Sequence, residues 1–211
     1  MGIFDIERIA EKREEASKKR AADLEKQNAF ISHSKMLEKQ LKEFANQAID
    51  EFVQAMNTFH MKGQIIYVVQ KVDVFNKIVV EPVWAMLFAS IELQGSGFEY
   101  PMSPEFKKKV KGFVTQPAWD GQTYGYISTT GETYISCMKS SPYNSVRGEK
   151  KLGSSSLYIP LSREKAIELM MKDIGLPSLS LYNREGIAGL DKAFEEQKKK
   201  IVSFLEKQLV P

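Results

Sequence analysis

Cysteine is almost missing from this chain: Cys137 is the only one in 211 residues. A single thiol excludes an intrachain disulfide and a thiolate-based zinc site within one chain. It suits a reducing compartment, so a cytoplasmic location is expected. Histidine is nearly as scarce. His33 and His60 stand far apart and fall in no His-x-x-x-His or Glu-x-x-His spacing, so no metal site is expected.

Long apolar runs are also lacking. The greasiest stretch, residues 65–93, is interrupted by Lys71, Asp73, Lys77, Glu81 and Pro82, and is too broken to span a bilayer. The start, Met1–Ile6, meets Asp5, Glu7 and Arg8 at once, whereas a signal peptide needs a longer apolar run. Gly2 is followed by Ile6 where a myristoylation pattern wants Ser or Thr. No membrane association is expected. A strong charge of one sign is absent too. The formal charge is +3, from 30 basic and 27 acidic residues, too mild to imply nucleic acid by itself.

Proline and glycine are missing from residues 4–59, where Ala, Glu, Lys, Arg, Gln and Leu dominate. These are strong helix formers. Glu14 precedes Lys18, Glu15 precedes Lys19 and Glu38 precedes Lys42 by one helical turn. Each such pair adds about 0.2–0.5 kcal/mol. The segment divides by apolar content. Between Ala10 and Ala29, Leu24 is the only large apolar residue, so a helix there has almost no face to bury. From Phe30 on, Leu37, Leu41, Phe44, Ala48, Phe52, Met56 and Phe59 recur at steps of three or four, which predicts an amphipathic helix packed on the body. Phe30–Ser34 is a candidate break, because Ser32 and Ser34 compete for backbone hydrogen bonds. The expectation is therefore one long helix or a helical hairpin over residues 1–60, with 31–60 packing on the body. A coiled coil through Leu37, Leu41, Phe44 and Ala48 holds for about two heptads before Glu51 lands on the seam. With Leu24, the residues Leu37, Leu41 and Phe44 are the candidates for self-association.

Residues 61–211 read as an α+β body. Gln64–Gln70 is a β-branched run and predicts a buried strand. Residues 72–80 alternate less clearly before Pro82, and 84–93 fit a strand better than a helix. Residues 109–138 predict an antiparallel meander with turns at Asp120-Gly121 and Thr130-Gly131. Residues 140–155 read as a polar loop. Ser162 caps a helix over 162–174 that Gly175 ends, and Asn183 caps a last helix over 184–209. The fold class expected is α+β: the long N-terminal helix or hairpin, a mainly antiparallel sheet of four to six strands, and two C-terminal helices.

Chemical motifs are thin. Gly148–Ser155 resembles a phosphate loop in glycine spacing, but Ser154 stands where the lysine belongs and a strand follows. Glu149-Lys150-Lys151 has a nuclease-like spacing but no rigid element to fix it. No catalytic residue and no cofactor are expected. Lys107, Lys108, Lys109 and Lys111, with Arg147, Lys150 and Lys151, lie near Trp119, Tyr124, Tyr126, Tyr134 and Tyr143. A sheet showing aromatics beside lysines would stack bases and hold phosphates. Three functions follow: a non-enzymatic interaction protein (adaptor, inhibitor or assembly factor) that self-associates or holds a protein partner through the N-terminal helix; a nucleic-acid-binding module; and an enzyme with an unrecognised site. The first accounts best for a helix with more surface than its own core can use.

Overall fold

The computed structural model describes residues 6–72, 74, 78–92, 104–109, 122–139, 146–147 and 156–210. It is an α+β protein with a long N-terminal helix, a mostly antiparallel sheet and C-terminal helices. In order these are α1 (Ile6–Thr58), β1 (Gln64–Val72), β2 (Ile78–Glu92), α2 (Pro104–Lys109), β3 (Gln122–Ser128), β4 (Thr133–Lys139), β5 (Val146–Arg147), β6 (Ser156–Leu161) and α3 (Arg163–Asp173). A 3₁₀ segment (Leu179–Glu185) and α4 (Gly186–Leu209) complete the chain.

α1 is unbroken. The expected break at Ser32–Ser34 does not occur, because the Ser34 hydroxyl donates back to the Ile31 carbonyl at 3.0 Å and so bonds within the helix. The buried stripe is Leu37, Leu41, Ala45, Ile49, Phe52 and Met56. Phe44 and Ala48 sit at its margin, and Phe59 lies past the helix end, largely exposed. The end is a glycine-type stop without glycine. His60 takes φ 55°, Met61 N–H donates to Met56 O at 2.8 Å, and His60 N–H to Asn57 O at 3.2 Å.

The chain divides into two compact units. The first comprises Met1–Leu41 and Pro177–Gln197. Its core is Leu37, Leu179, Leu190 and Ala193, with Phe30, Tyr182 and Phe194 against it. Ser178 Oγ donates to Glu38 Oε1 at 2.5 Å, and Gln197 Nε2 to Pro177 O at 2.8 Å. Asn183 does not cap α4. It lies inside the 3₁₀ segment, whose own cap is Ser178, and α4 starts at Gly186.

The second unit comprises Lys42–Leu176 and Lys198–Pro211 and holds the sheet. β1 pairs antiparallel with β2, β2 with β3, β3 with β4, and β4 with β6; β6 then pairs parallel with β1. The pairings close into a ring of five strands. An odd number of up-and-down strands closes with one parallel pair, and β1–β6 is that pair. The short β5 adds to β2 in parallel. Pro82 does not interrupt the second strand; it sits within β2 opposite Tyr67. Lys109, expected to open the meander, ends the helix α2 instead, and residues 110–121, with the Asp120-Gly121 turn, lie outside the described residues. The β3–β4 turn forms as expected, with Gly131 at φ 86° and Gly131 N–H bonded to Ser128 O at 2.9 Å.

Inside the ring stand Ile66, Val68, Ala85, Tyr126, Tyr134 and Tyr158, with Val83, Leu87 and Tyr124 beside them. Tyr126 and Tyr158 meet edge to face, ring centres 5.1 Å apart. Gln64 Nε2 donates to the Tyr126 hydroxyl at 2.6 Å. Outside the ring, α3 packs on β2, β3 and β4. It approaches closely because position 125 has no side chain: a Cβ on Gly125 would lie 2.8 Å from Leu169 Cδ2. Ser162 caps α3 by accepting from Lys165 N–H at 3.3 Å, and Asp173 at its end accepts from Ser90 N–H of β2 at 2.7 Å. Ion pairs tie α1 to α3. Lys42 reaches Glu168 at 3.4 Å and Arg163 reaches Asp50 at 3.0 Å. Glu38 and Lys42 therefore do not pair along the helix; each has a partner elsewhere.

Candidate functional site

Two features stand apart from ordinary packing: the first half of α1 and one mouth of the strand ring. In α1 every side chain from Ala10 to Ala29 is exposed. That is about five and a half turns of helix with no buried face. Leu24 is 58% exposed. The described support is local, as in the Lys18–Glu14 ion pair at 2.7 Å. An isolated helix of this length is marginal in water, since most helix stability in proteins comes from packing an apolar face.

The residues considered for self-association separate here. Leu24 is exposed. Leu37 and Leu41 are 4% and 1% exposed and belong to the chain's own interior. Phe44 is half-buried, with the Lys198 ammonium 5.5 Å from its ring centre. Of these four residues only Leu24 is free for association.

The lysine–aromatic group is also divided. Lys108 and Lys109 are exposed at the end of α2. Lys107 lies in α2 and Arg147 in β5, while Lys111, Lys150, Lys151, Trp119 and Tyr143 lie outside the described residues. Tyr126 and Tyr134, at 7% and 5% exposure, are turned into the ring and are not a stacking platform. Alternating tyrosines on β3 and β4 serve the interior.

The mouth of the ring holds a cavity of about 550 Å³, lined by Gln70, Glu81, Glu132, Tyr134 and Arg163 among others. Tyr134 O–H donates to Glu132 Oε2 at 2.9 Å. Burial and then the Glu132 carboxylate push the Tyr134 phenol well above its ordinary value; a hydrogen bond with Ser128 opposes them, and Glu81 adds the smallest upward effect. Arg163 Nη2 is engaged by Asp50, and its Nη1 is buried without a hydrogen-bond partner, so the guanidinium depends on Asp50 for charge balance. Apart from Tyr134, none of these residues carries a sequence signal, because no short motif joins them. Strand register from three separate chain segments does.

Among the described residues no cluster of three or more His, Cys, Asp or Glu is placed to hold a metal ion. His33 Nε2 lies 2.7 Å from Asp191 Oδ1, and Cys137 lies in β4. No described helix is long and apolar enough to cross a membrane. Comparison with family models, curated proteins and solved structures finds no match to this chain.

Proposed function

We propose that this chain is a non-enzymatic protein-interaction protein of the cytoplasm, and that the first half of α1 is the arm by which it holds a protein partner or a second copy of itself. The observation that carries the reading is the complete exposure of Ala10–Ala29 on a helix that continues into a packed stripe. Such an arm gains nothing from its own chain, and a partner would supply the missing burial. Its contact face is shallow. Ala10, Ser17, Ala21, Leu24 and Ile31 share one side, at helical spacings of seven, four, three and seven. Small side chains let another helix approach closely, but they bury little area, so affinity is modest or depends on oligomer formation.

Sedimentation of the whole chain and of a chain beginning at Phe30, with a partner pull-down on both, tests the reading. Association or partner capture by the whole chain alone supports it. Monomers without a partner in both cases refute it.

A further inference from the structure

The exposed arm of α1 carries a repeat as well as a face. Ala10, Glu14, Ser17, Ala21, Leu24, Asn28 and Ile31 follow one another at alternating steps of four and three. That is the spacing of a seam between two helices. All seven side chains are exposed, Leu24 at 58% and Ile31 at 41%. Past Ile31 the same steps reach Lys35 and Glu38, and burial passes to the separate stripe of Leu37 and Leu41. The charges beside the seam bear on what covers it. One flank carries Glu11, Lys18 and Glu25, and the other carries Arg13, Arg20 and Gln27. Two copies aligned in parallel would stack Glu14 on Glu14 and set Arg13 against Lys18, because parallel flanks meet five residues apart. Two antiparallel copies, with Ala21 of one over Leu24 of the other, bring each flank against its own kind. Lys18 then meets Glu25, twice by symmetry, Arg20 meets Gln27, and Ser17 lies against Asn28. No like charges meet in that register. A slide of one heptad toward the N-terminus sets Lys18 on Lys18 and Arg20 on Arg20. Glu14, the one charge on the seam, already holds Lys18 at 2.7 Å.

We propose that the occupant of the arm is a second copy of this chain, paired antiparallel over residues 10–35 about a two-fold axis between Ala22 and Asp23; this rests on the reading of the arm given above. Leu24 of each copy fills the space that Ala21 of the other leaves open, which lets the helices approach closely. The flanking charges add little energy, but they select direction and register by penalising the alternatives. A two-fold pair is self-complementary by construction, and the single sequence of the arm supplies both members of the Lys18–Glu25 contact. A partner of another sequence would place no such demand on this chain.

The test is sedimentation equilibrium of the full chain and its charge variants at fixed ionic strength, up to roughly 1 mM protein. A monomer–dimer equilibrium is expected. Lys18→Glu and Glu25→Lys are each expected to weaken the dimer about tenfold, and the two changes together to restore it, because opposite charges face each other again. In a parallel pair Lys18→Glu would instead tighten the dimer by relieving Arg13. Helix content by circular dichroism is compared for every variant, since Lys18→Glu also removes the pair with Glu14. Glu25→Lys leaves that pair intact and reads the contact by itself. A full chain that stays monomeric overturns the proposal, as does a dimer that neither single change weakens or that the double change fails to restore. If the chain stays monomeric while the arm retains a different protein, the second copy is wrong and the reading of the arm stands; if it retains nothing, both fail.

Discussion

The Tyr134 hydroxyl donates to Glu132 at 2.9 Å, two residues back at the start of the same hairpin arm. The bond joins the buried interior of the strand ring to its acidic mouth. It also links the phenol's ionisation to folding. Burial and the two carboxylates raise the Tyr134 pKa, so the fold favours the neutral phenol. The stabilisation is complete below the unfolded tyrosine value of about 10 and is lost as pH rises past it. Urea midpoints are expected to hold steady up to roughly that pH and to fall above it. Tyr134→Phe should flatten part of the fall, while Tyr126, also raised by burial, keeps the rest. An unchanged slope in the variant would contradict this account.

Gly63 joins α1 to β1 at φ 70°, and a Cβ there would stand 2.2 Å from the Ala85 carbonyl oxygen. Both conformation and space require glycine. Gly63→Ala is expected to cost at least about 2 kcal/mol in urea denaturation. A loss no larger than that of an ordinary surface change would mean that β1 enters the ring differently.

His60 holds the left-handed position that ends α1. At the end of α3 the same position belongs to Gly175, at φ 71°, with Leu176 N–H bonded to Met171 O at 3.0 Å. A side chain in that conformation costs about 1 kcal/mol. His60→Gly should therefore raise stability by roughly 0.5–1 kcal/mol, read as a higher urea midpoint at unchanged slope.

The exposed arm contributes no burial to the folded chain. At concentrations where both are monomeric, a chain beginning at Phe30 is expected to match the full chain within about 0.5 kcal/mol. A larger loss would mean that residues before Phe30 pack on their own chain.

Particular residues show what was legible beforehand. Gly175 announced the end of α3, and Ser162 its start, because caps are local. His60 gave no signal, since its conformation is imposed by the hydrogen bonds around it. The stripe through Leu37, Leu41, Phe52 and Met56 was visible in the spacing. Its middle is buried at Ala45 and Ile49, one position on from Phe44 and Ala48, because burial follows the phase of the helix and not the size of the side chain. Ser32 and Ser34 suggested a break that the helix absorbs. The closure of the ring could not be read. It depends on Tyr67 and Val68 finding Leu157 and Tyr158 far along the chain, and the loops between carry no pairing code. The cavity was hidden for the same reason: Glu81, Glu132 and Arg163 are unremarkable until register brings them together.

The central claim is that the first half of α1 is an interaction arm, and sedimentation velocity combined with a partner pull-down tests it most directly. The full chain is expected to associate or to retain a protein that the chain beginning at Phe30 does not, with Leu24→Glu in the full chain weakening the effect. Two monomers of unchanged fold, neither retaining a partner, would contradict it.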